Sequence, residues 1–98
     1  MNIKKQTNGT EITFTLEGRL DTTTAPALEA ELCGVLANAT VLKLDLAKLE
    51  YMSSAGLRVL LSAQKAMSKK GQLTIANVSA EIMEIFELTG FSDILTIV

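Results

Sequence analysis

Apolar residues recur at every second position from Ile12 to Leu16 and again from Leu42 to Leu46; in the stretches between and after them the spacing changes to three and four. A spacing of two belongs to a strand with one buried face, and a spacing of three and four to a helix with one buried stripe. Strands that alternate with helices have few ways to bury both kinds of face. The economical one is a mixed sheet, parallel in its later part, with helices packed against it. The pattern therefore predicts an α/β fold.

The elements can be placed one by one. Ile3 to Thr7 and Glu11 to Glu17 form a hairpin, with Asn8-Gly9 as a type I′ turn, since both residues tolerate positive φ. Thr22-Thr23-Thr24 offers caps for a first helix, and Pro26 suits its first turn, where a missing N–H costs nothing. Leu28, Leu32, Val35 and Leu36 give that helix its apolar stripe; Glu29 and Glu31 lie early, near the positive end of its dipole, and Asn38 ends it. A strand over Val41 to Leu46 leads to a helix from about Ser54 to Lys70, with Arg58, Ser62, Lys65 and Lys69 on its solvent side. Leu73 to Ala76 is a third buried strand. Ser79 caps a short helix that Gly90 ends, and Ile94 to Val98 reads as a last strand. The expected order is ββαβαβαβ, in one domain over residues 1–98.

Composition excludes several functions. Nine basic against eleven acidic residues, net charge −2, leave no clustered basic face for a duplex. Four aromatic residues and no Trp offer little to stack on single strands. Histidine is absent and there is one cysteine, so the commonest general base, the commonest metal ligand and an internal disulfide are missing together. No apolar run is long enough for a membrane span, and the N-terminal MNIKKQTNG has no signal-like core. These features point to a cytoplasmic protein that is not an enzyme and carries no cofactor.

The stretch most suggestive of a site is Tyr51-Met52-Ser53-Ser54-Ala55-Gly56-Leu57-Arg58, where a strand hands over to a helix. Ligands of open α/β sheets meet the protein at such loops. Either serine could simply cap the helix, a contribution on the order of 1 kcal/mol. No Glu or Gln follows three residues on to complete a capping box, and a cap alone leaves the paired serines and the Ala-Gly step unexplained.

LEYMSSAGLRVLL resembles the signature loop and helix of the STAS domain, in the branch of bacterial anti-anti-sigma factors. EGRLDTTTAPALEAEL upstream and GQLTIANVSAEIMEIFELTGFSDILTIV downstream are similar to the same family's other segments, so the resemblance spans the chain. It implies a phosphorylation switch. An anti-sigma factor that is itself a GHKL-type serine kinase would modify Ser54, the residue before Ala55-Gly56-Leu57, and a serine phosphatase would reset it. The unmodified form would bind the kinase and free the sigma factor, and the modified form would not. Many members carry Asp where this chain has Ser53, which makes Ser53 a minor competing acceptor.

The expected partner surface comprises Asp21, Thr22, Ser53, Ala55, Gly56, Leu57 and Arg58. Asp21 would either orient the hydroxyl or kinase, or cap its own turn; Gly56 would either admit a partner backbone or satisfy packing. Arg58, badly placed for the helix dipole, would pair with an acid on the partner or be merely solvated. Cys33 is expected in the packing of the first helix. Two rival functions share the surface: a STAS accessory subunit of a membrane lipid transporter, and a partner switch with a non-sigma output. A monomer or weak dimer is expected.

Overall fold

A computed structural model describes all residues from Met1 to Val98. The elements run β1 (Asn2–Asn8), β2 (Glu11–Leu20), α1 (Ala25–Leu36), β3 (Val41–Met52), α2 (Ser54–Met67), β4 (Gln72–Ala76) and α3 (Ala80–Thr89), followed by a 3-10 turn at Phe91–Asp93. The four strands lie in the order β1-β2-β3-β4; the hairpin pair is antiparallel and the other two pairs are parallel. The mixed α/β architecture read from the periodicity is borne out.

Register shows why the spacings matter. Phe14, Leu44 and Ile75 fall opposite one another across three strands, and so do Thr13, Lys43 and Thr74 one residue earlier. The first row is fully buried; the second is half-buried or exposed. The buried row joins Leu28 and Leu32 of α1, Leu60 and Ala63 of α2, and Ile82 and Phe86 of α3 in one cluster. The sheet therefore has a covered apolar face and an open polar one.

Several expectations are corrected. The hairpin loop is Gly9-Thr10, because Asn8 already pairs with Glu11; positive φ is needed at Gly9 (64°) and not at Asn8. Glu29 and Glu31 lie beyond the first turn of α1, which holds no acidic residue. Cys33 is exposed and not part of the core. The last strand, expected over Ile94 to Val98, shrinks to one parallel bridge between Ile97 and Ile75. Ile94 closes the 3-10 turn in a helical rather than extended conformation and Leu95 is buried in the core, which cuts the extended run short.

The largest difference is β3, which runs six residues past Leu46. Against β2, the step Thr15 to Glu17 matches Asp45 to Lys48, and Gly18 to Arg19 matches Leu49 to Tyr51, so β3 holds an extra residue at each shift. Each bulge resets the phase, and Leu46, Leu49 and Met52 all face the core at a spacing of three. The first bulge has its own hydrogen-bond partner. The Asp45 carboxylate accepts the Ala47 N–H at 3.0 Å and the Asn77 side-chain amide at 3.0 Å, and these donors hold its pKa below the usual value.

Candidate functional site: the β3–α2 junction

The bulged extension carries the end of β3 to the end of β2. Leu20 pairs with Met52, and the Ser53 N–H donates to the Leu20 carbonyl at 2.8 Å. Two strand ends, and the starts of the helices that follow them, thus meet at one edge of the domain.

At this junction the two serines divide the work. Ser53 is the N-cap of α2, with extended backbone (φ −92°, ψ 174°), and its hydroxyl accepts the Gly56 N–H at 3.5 Å. Ser54 is the first residue of the helix proper and is exposed. Because its neighbour caps the helix, the Ser54 hydroxyl is left presented to solvent.

The residues that follow fall into two groups. Gly56 and Leu57 are buried, and a Cβ on Gly56 would lie 2.7 Å from Leu20 Cγ and 2.8 Å from its Cδ2. Gly56 is thus packed closely against the end of β2, where a side chain would meet Leu20. Ala55 is half-buried and Arg58 exposed. Arg58 stands four residues after Ser54, so the two side chains share one helix face. The chain's ion pair is elsewhere, between Lys48 and Glu17 at 3.7 Å, and leaves Arg58 without an intrachain acid.

Asp21 follows Leu20 and caps its own turn. Its carboxylate accepts from the Thr23 hydroxyl at 2.7 Å and from the Thr23 and Thr24 N–H groups at 3.0 and 3.2 Å. The Thr23 hydroxyl bond is the main reason its pKa is lowered. Thr24, expected as a side-chain cap, makes none; its hydroxyl donates to the Arg19 carbonyl and accepts the Asp21 N–H, both at 2.8 Å. Asp21 is therefore fixed and ionised at neutral pH. Thr22 is exposed beside it.

Two features were missed in the sequence. A groove of about 260 Å³ lies between the starts of α1 and α2, lined by Thr22, Pro26 and Glu29 on one side and Ala55, Arg58 and Ser62 on the other. Nothing in the sequence alone places α1 beside α2, although exposed polar residues at helical spacing on both were visible. At the strand ends, the Arg19 guanidinium lies 4.4 Å from the centroid of the Tyr51 ring, which is 39% exposed. Arg19 and Tyr51 are register partners only because of the second bulge. No group of His, Cys, Asp and Glu side chains is arranged to hold a metal ion, and no helix is long and apolar enough to cross a membrane.

The chain belongs to the STAS family: the family model described as "Mlab, STAS domain" matches residues 3–97. Among individual proteins, it is 30% identical over 98 residues to the anti-sigma-B factor antagonist of Bacillus subtilis, covering 99% of this chain and 90% of that protein. In three dimensions it is similar to an anti-sigma factor antagonist from Mycobacterium paratuberculosis (TM-score 0.89, 23% identity, 98% and 83% of the two chains). It is also similar to the Bacillus protein SpoIIAA in its phosphorylated form (TM-score 0.79, 16% identity, 99% and 91%).

Proposed function

We propose that this chain is an anti-sigma factor antagonist whose binding is switched by phosphorylation of Ser54. The observation that carries this reading is the division of labour at the junction: Ser53 caps α2 and Ser54 is left exposed at its first residue. The relatives' names supply the partner class, an anti-sigma factor. That partner acts as a GHKL-type serine kinase in the cytoplasm, and a serine phosphatase reverses it.

The chemistry is simple. The Ser54 oxygen takes the γ-phosphoryl group of the kinase's ATP, ADP leaves, and the hydroxyl proton passes to a base on the kinase. ATP is therefore held by the partner, and this chain carries no cofactor and performs no catalysis. Phosphatase-assisted attack by water returns the hydroxyl and releases phosphate.

The modification adds about −1.5 to −2 charges. At the start of α2 the helix dipole favours an anion by roughly 0.3–1 kcal/mol, so the domain stays folded. Across a docked partner, the same charge must be desolvated or set near like charge, at a cost of several kcal/mol. The cost at the interface exceeds the gain at the helix, and the switch is a blocked surface. The exposed or half-exposed face formed by Asp21, Thr22, Ser53, Ala55 and Arg58 is where the partner docks, with Gly56 and Leu57 as its buried support.

Intact-mass and peptide mass spectrometry after co-expression with the candidate kinase tests the reading. One phosphate on Ser54, absent from Ser54→Ala, is the expected result. No phosphate with a kinase of proven activity would overturn it and favour a constitutive accessory subunit. Phosphate on Ser53 would overturn the assignment of the residue.

A further inference from the structure

Resting on the reading of Ser54 as the modified residue, we infer that Arg58 is the intrachain partner of the Ser54 phosphate, and that pairing withdraws the one cation from the groove between α1 and α2. Arg58 lies four residues beyond Ser54 on the same helix face, is exposed, and has no acid bound to it. It is also the single basic residue lining the groove, where Glu29 stands on the α1 side.

The charges around the junction make the pairing consequential. From α1 comes Glu29; from the end of β2 come Asp21, ionised and held by its own turn, and Arg19, engaged on the Tyr51 ring. A phosphate at Ser54 adds to two carboxylates, and Arg58 is the free cation nearest to it on its own helix, with Lys65 two turns further on. The arginine stem is flexible, its planar guanidinium is a bidentate donor to phosphate oxygens, and an i,i+4 spacing brings it within reach.

The unmodified groove presents Arg58 to an acidic group on the partner. The modified groove presents Glu29, while Arg58 is occupied by the phosphate. One modification then acts twice: it places negative charge at the rim and competes for the positive charge that an acidic group on the partner would meet.

The test uses the full chain with phosphoserine installed at position 54 during translation, so that it does not depend on any kinase. The second pKa of the phosphate, near 6 when free, is read by phosphorus NMR in otherwise native protein and in Arg58→Ala, Arg58→Lys and Lys65→Ala. Arg58→Ala should raise that pKa by roughly 0.3 unit, the size of an exposed i,i+4 ion pair. Arg58→Lys should recover part of the shift, Lys65→Ala should leave it unchanged, and salt at about 1 M should erase it. Coincident titration curves for native protein and Arg58→Ala would overturn the pairing. So would an equal shift from Lys65→Ala, which would mean general electrostatics. Failure of a kinase to modify Ser54 would sink the proposed function, with this measurement still standing by itself.

Discussion

Replacing Gly56 with Ala tests how the site is supported. The added Cβ would sit 2.7 and 2.8 Å from Leu20 Cγ and Cδ2 and 3.1 Å from Met52 Cγ. Carbon atoms in contact prefer about 3.5–4.0 Å, so the overlap with Leu20 is close to 1 Å. Leu20 is wholly buried and its Cγ is no flexible tip, so the clash moves either β2 or the start of α2. Overpacking of this kind costs about 1–3 kcal/mol. Alanine's helix preference returns at most about 1 kcal/mol, and less in the first turn of a helix. The net loss is about 1–2 kcal/mol. Urea unfolding followed by circular dichroism should show a midpoint about 1–2 M lower, for a slope near 1 kcal/mol/M. A midpoint equal to or above that of the native chain would refute the packing argument. Native stability with lost partner binding would instead place a partner's backbone at Gly56.

Other substitutions follow from the same geometry. Ser53→Ala should cost about 0.5 kcal/mol, the low end for an N-cap because the bond is long, whereas Ser53→Asp should keep the cap and melt at or above the native temperature. Gly71→Ala should be worse than Gly56→Ala, near 3 kcal/mol by urea unfolding, because its Cβ would meet the Thr40 carbonyl oxygen, a backbone atom that cannot swing aside. The carboxylates of Asp21 and Asp45 have depressed pKa values in the fold, so their stabilisation is present above the unfolded value of about 3.9 and is lost as pH falls through the folded one. Stability measured from about pH 6 to pH 3 should therefore fall, and Asp45→Asn should flatten that fall without changing its sign.

Much of this was legible because most of the chain keeps one period at a time. The alternation at Ile12, Phe14 and Leu16 and at Leu42, Leu44 and Leu46 marks two parallel neighbours, and Ser79 and Gly90 bracket α3 as their chemistry requires. The second half of β3 was hidden because its two bulges convert a period of two into a period of three over Leu46, Leu49 and Met52. Cys33 misled because α1 is rich in alanine on its outer side, so apolar character there does not mark burial. At the site, the exposed Ser54 and the cap at Ser53 needed only local reasoning, although sequence alone left open which serine did which. The groove, the Arg19–Tyr51 stack and the packing role of Gly56 depend on contacts between distant residues, and no spacing encodes those.

The central claim is that phosphate on Ser54 blocks docking and leaves the fold intact. The direct measurement is calorimetric titration of the kinase partner with the chain carrying serine or phosphoserine at position 54, after both forms are shown to melt alike. Equal melting within a few degrees is expected, with an affinity lower by about 100-fold or more for the phosphorylated form, since each 1.4 kcal/mol is tenfold. Equal affinities, or a loss of binding that accompanies a collapsed melting transition, would contradict it.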